Sequence, residues 1–113
     1  MKRTERFECP FELALDTIAG RWRGQILWYL CEEEVLRFSD LRRRIPGITQ
    51  KMLTQSLRAL EDRGLVTRTV YPVVPPKVEY TVTDLGKKLW PILQELQEWG
   101  REVAKANDIE CIH

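Results

Sequence analysis

Histidine is almost absent from this 113-residue sequence, since its one histidine, His113, is the last residue. The sequence also lacks a glycine-rich phosphate-binding loop, and its carboxylates are scattered along polar segments, so it offers little material for a nucleophile or a general base. Cys111 and His113 form a C-x-H pair, but a zinc site needs a second pair of ligands. We therefore predict that the chain is not an enzyme and holds neither a metal nor a cofactor.

Long apolar runs are missing as well. No stretch approaches the ~20 residues that cross a membrane, and residues 1–11 lack the apolar core of a signal peptide. The three cysteines, Cys9, Cys31 and Cys111, are widely spaced and odd in number, which argues against a disulfide framework within one chain. The sequence predicts one cytoplasmic domain over residues 1–113, with free thiols and no membrane contact.

Net charge is small, +1, but the positive charge is unevenly distributed. Residues 37–68 carry eight Lys/Arg against three Asp/Glu, whereas residues 1–36 carry five against seven. Residues 69–80 carry one of each sign, and residues 81–113 carry four Lys/Arg against six Asp/Glu. Concentrated positive charge is typical of a surface that displaces counterions from a polyphosphate, so we predict a nucleic-acid contact around residues 37–68.

Residues 49–64 predict an amphipathic helix with Thr49 as N-cap and Gly64 just beyond its end. Its apolar face consists of Met52, Leu53, Ser56, Leu57, Ala59 and Leu60. Its polar face carries side chains that reach base edges and phosphates in a DNA major groove, namely Gln50, Lys51, Thr54, Gln55 and Arg58. We interpret the segment as a recognition helix, with an ordinary solvated surface helix as the alternative. Arg63 alone falls on the apolar side.

A shorter helix is predicted immediately before it, with Ser39 as N-cap, Asp40 in the first turn and Leu41 facing inward. Pro46-Gly47 ends this helix in a tight turn, so residues 39–63 have the arrangement of a helix-turn-helix. Further candidates for DNA contact in this unit are Ser39, Arg42, Arg43 and Thr49.

After Gly64 the apolar pattern changes to a period of two. Residues 66–71 and 78–82 predict a β-hairpin with a proline-bearing loop, which would form a wing over about 66–82. Lys77 at its base is a candidate for contact with a phosphate or the minor groove. The alternative is a hairpin that only covers the core.

The chain ends are predicted to form dimerisation helices. Pro10 opens the first helix with Cys9 as its N-cap, and a second, core helix follows over about residues 21–31. The last helix is predicted over about residues 84–106, kinked at Pro91, and would extend ~30 Å. The predicted interface residues are Phe11, Leu89, Leu93, Leu96 and Trp99. The alternative is a last helix folded back on its own core.

These segments resemble the HxlR-type transcriptional regulators, a winged-helix family close to the MarR-like proteins. The likeness covers nearly the whole chain, in Cys9-Pro10, LDTIAGRWRGQIL (15–27), RFSDLRRRIPGITQKMLTQSLRALEDRGLVTR (37–68), VPPKVEYTVTDLG (74–86) and LWPILQELQEW (89–99). The resemblance implies a mainly α fold with a small β-hairpin, and a homodimer that binds duplex DNA. It implies dimerisation through the terminal helices, and DNA contacts from the second helix of the helix-turn-helix and from the wing.

The resemblance also makes Cys9 a candidate sensor of oxidants or electrophiles. At the start of a helix its sulfur would lie at the positive end of the dipole, which favours a thiolate, although burial or simple packing is the alternative. Two departures from the family pattern stand out. Residues 19–21 read Ala-Gly-Arg where the family often has Gly-Gly-Lys, and Val73 replaces an acid in the wing.

Two functions compete at this point. The first is a homodimeric, sequence-specific DNA-binding regulator whose operator is an inverted repeat and whose effector the sequence does not name. The second is a winged-helix module that binds another protein. The second function would favour apolar anchors on the exposed arc of the 49–63 helix, and the predicted arc contains none.

Overall fold

The computed structural model of the chain describes residues 5–112. These residues form six helices and three strands. In chain order they are α1 (Pro10–Ile18), α2 (Arg23–Glu33), β1 (Val35–Arg37), α3 (Phe38–Arg44), α4 (Gln50–Asp62), β2 (Val66–Tyr71), β3 (Lys77–Val82), α5 (Asp84–Lys87) and α6 (Trp90–Ala106). The strands form one antiparallel sheet in the order β1-β3-β2. The predicted winged helix-turn-helix, mainly α with a small β-hairpin, is confirmed.

The core lies between α2, α3, α4 and the inner face of the sheet. Its fully buried side chains are Ile26, Leu27, Leu30, Leu41, Ile45, Leu53, Leu57 and Leu60. Leu36 of β1 and Tyr80 of β3, which are paired neighbours in the sheet, close the core from the strand side. Because α4 contributes three of these buried leucines, its orientation is set by the same contacts that stabilise the domain.

The predicted ends of α4 are confirmed. Thr49 is the N-cap, with its Oγ1 accepting a hydrogen bond from the backbone N–H of Met52 at 3.1 Å. Gly64 follows the helix at φ +77°, a left-handed conformation that glycine adopts at little cost. The placement of Met52 on the buried face is wrong, because its side chain is 41% exposed. Met52 is one position from Leu53, about 100° round the helix, and therefore lies at the edge of the buried arc.

The predicted cap of α3 is also wrong, because the helix begins one residue before Ser39. Arg37 occupies the N-cap position, and its backbone N–H donates to Oδ2 of Asp40 at 3.0 Å. This bond is one half of a capping box, and it gives Asp40 the role of third helical residue. Ser39 consequently lies inside the first turn with an exposed side chain.

The wing follows the predicted hairpin closely, with β2 and β3 paired from Val66↔Val82 to Tyr71↔Lys77. Thr83 ties its base to the end of α4, because the Thr83 hydroxyl donates to the carbonyl of Gly64 at 2.6 Å. The same oxygen accepts from the N–H of Gly86 at 3.1 Å and so caps α5. The wing is therefore anchored directly to the helix that precedes it.

The last helix differs from the prediction of one kinked element over 84–106. It is divided into α5 and α6, with Leu89 as the N-cap of α6 and Pro91 in its first turn. A proline is tolerated there because the first amides of a helix have no intrahelical partner. Pro91 thus begins a new helix instead of bending a continuous one.

Arg63, the residue on the unexpected side of α4, connects that helix to α1. Its guanidinium donates to the Thr17 hydroxyl at 2.6 Å and to the Asp16 carboxylate at 2.8 Å. Glu5 lies 3.4 Å from the same group, and the Phe7 ring lies 5.5 Å below it. The end of the predicted recognition helix is therefore held against the N-terminal helix.

Candidate nucleic-acid interface

The outward face of α4 presents the polar side chains that the sequence assigns to DNA. Gln50, Lys51, Gln55 and Arg58 are exposed, and Thr54 is half-buried. The Thr49 hydroxyl, by contrast, is engaged in capping the helix. Four long polar side chains on successive turns of a helix can reach both base edges and phosphates, provided that the helix enters a groove.

The cations of the helix-turn-helix fall into two groups. Among residues 5–112, Arg42, Lys51 and Arg58 take part in no ion pair. Arg43 pairs with Asp40 on its own helix, and its side chain is still 74% exposed. Arg44 is more firmly held, since it donates to Glu33 at 2.7 Å. The first group is available to a phosphate without loss of an internal contact.

A polar groove of about 350 Å³ lies between α4 and the wing. Thr54, Arg58 and Glu61 form its helix side, and Arg68 with Tyr80 forms its sheet side. Arg68 was missed as a candidate by sequence reasoning, although it is exposed and lies in the basic segment. Arg68 is paired with Tyr80 across the hairpin, and this register places the Arg68 side chain on the face of the sheet that faces α4. The register of the hairpin was therefore the signal that could have identified Arg68.

Lys77, predicted at the base of the wing, lies instead at the loop end, opposite Tyr71. Its Nζ is 3.4 Å from the Glu79 carboxylate and 5.0 Å from the centre of the Tyr71 ring. The same carboxylate, as a hydrogen-bond acceptor and as a negative charge, raises the pKa of the Tyr71 phenol. Lys77 is therefore less available to a phosphate than the sequence indicated.

The three cysteines are free thiols in different surroundings. Cys9 is the exposed N-cap of α1, and within the described residues its thiol makes no capping hydrogen bond. Cys31 is half-buried, and desolvation raises the pKa of its thiol in spite of the opposing charge of Lys87. Cys111 is exposed near the end of the described chain.

The predicted dimerisation residues are divided between the surface and the core. Phe11, Leu96 and Trp99 are exposed, by 70%, 45% and 63%. Leu93 is buried in the core of its own chain, and Leu89 packs against that core. These two residues therefore stabilise the single subunit and are not free to form a dimer interface. Leu89 and Leu93 are four residues apart, which is about one helical turn, and both therefore face the core.

An apolar groove of about 350 Å³ separates α1 from α5 and α6. Leu13, Ile18, Leu85 and Ile92 contribute its walls. Three of these apolar side chains, Leu13, Leu85 and Ile92, remain exposed. Such a concentration of exposed apolar surface is unusual on a monomeric protein.

Neither a metal site nor a membrane span is found in the described part of the chain. Residues 5–112 hold no group of three or more His, Cys, Asp or Glu side chains that could bind a metal ion. No helix in that range is both long and apolar enough to cross a membrane. The Cys111–His113 pair lies partly outside the described residues, which end at Ile112.

Comparison with known proteins identifies the family. A profile of the HxlR-like helix-turn-helix family matches residues 17–108. The chain is 53% identical over 96 residues to YkvN of Bacillus subtilis, an uncharacterised HTH-type transcriptional regulator. The aligned region covers 85% of this chain and 80% of YkvN.

Two solved structures share the fold of this chain. The redox regulator HypR in its reduced form matches with a TM-score of 0.83 and 43% identity, over 88% of this chain and 98% of that one. The reduced form of the transcriptional regulator YodB from B. subtilis matches with a TM-score of 0.72 and 39% identity, over 82% and 91%. With α4 and the wing placed as described, these likenesses agree with the family profile. The chain belongs to the HxlR family of helix-turn-helix transcriptional regulators.

Proposed function

We propose that the chain acts as a homodimer that binds an inverted-repeat operator in duplex DNA, with α4 in the major groove. The observation that carries this proposal is the outward face of α4, where Gln50, Lys51, Gln55 and Arg58 are exposed beside a groove that also contains Arg68. Gln and Arg can each make bidentate hydrogen bonds to a base edge, and Lys and Arg neutralise phosphates. The role that we propose for the chain is therefore binding rather than catalysis. Because its proposed ligand is duplex DNA, we place the chain in the cytoplasm.

Dimerisation is supported by the apolar surface that a single chain leaves uncovered. Only Leu93 of α6 is buried, although Ile92, Leu96 and Trp99 of the same helix are apolar and exposed. Phe11 on α1 adds to this surface. A two-fold axis through such a surface would place two α4 helices in successive major grooves on one side of the DNA.

The double substitution Gln55→Ala and Arg58→Ala is expected to abolish most of the sequence preference. Each lost base contact costs ~1–3 kcal/mol, so the affinity for a duplex selected by the wild-type chain from a random-sequence pool should fall by about a hundredfold. Footprinting and DNA titration at one fixed salt concentration measure both effects.

The matched control replaces the same residue types on the polar side of α6, as Gln94→Ala with Arg101→Ala. Both positions are exposed and turned away from Leu96 and Trp99 by the helical period. This control should bind like the wild type. Unchanged affinity and footprint in the Gln55/Arg58 variant would assign α4 to another role, including the protein-binding module that is the alternative function.

A thiol response at Cys9 is the second part of the proposal. Its support is the exposed position of Cys9 at the start of α1, together with the redox regulator HypR among the similar structures. A modified Cys9 would alter a helix that borders the proposed dimer surface, and so change the separation of the two α4 helices.

Alkylation rates separate Cys9 from Cys31. Because Cys31 is half-buried and burial raises the pKa of its thiol, this thiol is both less accessible and less ionised at neutral pH, and we expect it to react more slowly than the exposed Cys9, by about tenfold. Mass spectrometry of the wild type, Cys9→Ser, Cys31→Ser and Cys111→Ser after brief exposure to iodoacetamide measures the rates. DNA titration after a mild oxidant completes the test, and equal loss of binding in the wild type and Cys9→Ser would place the switch elsewhere.

A further inference from the structure

The tip of the wing is apolar. Residues 72–76, which join β2 to β3, read Pro-Val-Val-Pro-Pro, and Val74 is 99% exposed. Val73 is 51% exposed, and Val70 on the adjoining strand is 50% exposed. These side chains are far from the apolar surface of α1 and α6, since β2 leads away from its buried start at Val66 over about 17 Å. Single exposed apolar side chains are common, but three neighbouring valines at one tip form a small apolar patch that another molecule can cover.

The tip is also held in shape. β2 and β3 remain paired up to Tyr71↔Lys77, and the backbone N–H of Val73 donates to the carbonyl of Tyr71 at 2.8 Å. The three prolines of the loop restrict φ at their own positions. A loop ordered in advance loses little conformational entropy on binding, so even a small contact area can contribute affinity.

The polar groups near the tip satisfy one another. Glu79 pairs with Lys77 and interacts with the Tyr71 phenol, while the Lys77 ammonium lies over the Tyr71 ring. A phosphate would have to compete with Glu79 for the one cation at the tip. What the tip offers to a partner is therefore the pair of valine side chains.

The tip continues the surface assigned to DNA. Val66, Arg68 and Val70 point to one side of β2, and Arg68 lines the groove opposite Arg58. From Arg68 to Tyr71 the strand advances about 10 Å. A duplex that receives α4 in its major groove presents a minor groove on each flank of that groove.

We propose that Val73 and Val74 enter the minor groove as an apolar wedge, partly unstack one base step and bend the operator. This inference rests on the proposed DNA-binding function. Valine cannot neutralise a phosphate, whereas apolar side chains inserted between base pairs are a known means of bending DNA from the minor groove. The preferred step is a flexible pyrimidine–purine step, because it unstacks at lower cost.

The test compares the wild-type chain with a Val73→Ser, Val74→Ser variant on the duplex that the wild type selects from a random-sequence pool. The variant should bind about tenfold more weakly, because it loses the burial of two valine side chains against the DNA, a gain that the cost of unstacking a base step partly offsets. Its bend angle, measured by energy transfer between the ends of the duplex, should also decrease. The control is Val35→Ser, which changes a valine that is 44% exposed on the edge strand β1 and should leave both readings unchanged.

Base analogues identify the groove. An inosine·cytosine pair at the flanking step keeps the minor groove of an A·T pair, whereas a G·C pair adds the guanine amino group, which obstructs a wedge. The wild type should tolerate inosine·cytosine and bind G·C more weakly, and the double variant should not distinguish the two. A variant with wild-type affinity and bend overturns the wedge, and so does one that loses affinity while its bend and its response to G·C stay unchanged.

The outcome is separable from that of the proposed function. If the Gln55/Arg58 variant binds DNA as well as the wild type does, the proposed function fails whatever the valines do. If that variant loses binding and the valine variant keeps wild-type affinity and bend, the wedge alone fails. A melting curve for each variant confirms that the substitutions act on a folded chain.

Discussion

Substituting alanine for Gly86 should destabilise the folded chain by about 3 kcal/mol or more. A Cβ at this position would lie 2.5 Å from Cγ2 of Val82 and 2.6 Å from the carbonyl oxygen of Leu65. The second contact is with backbone, which cannot turn aside as a flexible side chain would. The Leu65 carbonyl also accepts a hydrogen bond from the N–H of Thr83 at 2.9 Å, so a shift would loosen the base of the wing.

Gly24→Ala is the control for this substitution. Gly24 lies in the first turn of α2, where an added Cβ meets nothing within 4 Å. Alanine there should be neutral or should stabilise the chain by about 0.4–1 kcal/mol, because it reduces the freedom of the unfolded state. Urea denaturation of the three proteins gives both values, and a Gly86→Ala chain as stable as the wild type would show that α5 can move away from Leu65.

The second large effect is expected from the proposed dimer surface, where Leu96→Glu with Trp99→Glu should produce a folded monomer. Both side chains are exposed in the single chain, so their replacement removes little from its core. Burying two added carboxylates from each subunit, four in the dimer, would be very costly. Because two linked sites bind far more tightly than one, operator affinity should fall by about a hundredfold or more.

Gln94→Glu with Gln97→Glu adds the same charge to the other side of α6 and should leave the dimer intact. Sedimentation equilibrium at micromolar concentration distinguishes the two oligomeric states, and a DNA titration on the selected duplex gives the affinities. A Leu96/Trp99 variant that sediments as a dimer, or that keeps wild-type affinity as a monomer, would contradict this arrangement.

Local rules were most successful where one chemical preference dominated. Thr49 caps α4 as predicted, and β2 with β3 follows the alternation of apolar residues. The helix-turn-helix and the wing could therefore be located from the residues alone, and the basic segment indicated the surface that is proposed to contact DNA. The family resemblance pointed to the same surface.

The failures occurred where two local signals competed. Ser39 is a good N-cap by type, but Asp40 bonds to the N–H of Arg37 and moves the start of α3. Pro91 could kink a helix or begin one, and the outcome depends on how Leu89 and Leu93 pack in the core. Arg68 was missed because its position beside Arg58 is a property of the hairpin register, which no single segment contains.

The contacts of Arg63 couple the position of the N-terminal helix to the affinity of the proposed DNA surface. Arg63 follows α4 directly and forms hydrogen bonds with Asp16 and Thr17 of α1. A displacement of α1 would therefore break these bonds or move the end of α4. Linkage of this kind is reciprocal. If a change at α1 lowers the affinity for DNA by some factor, bound DNA lowers the equilibrium constant for that change by the same factor. An operator would thus be a ligand of the N-terminal helix as much as of α4, and for a reversible modification at the proposed sensor Cys9, bound operator would lower the fraction of Cys9 modified at equilibrium.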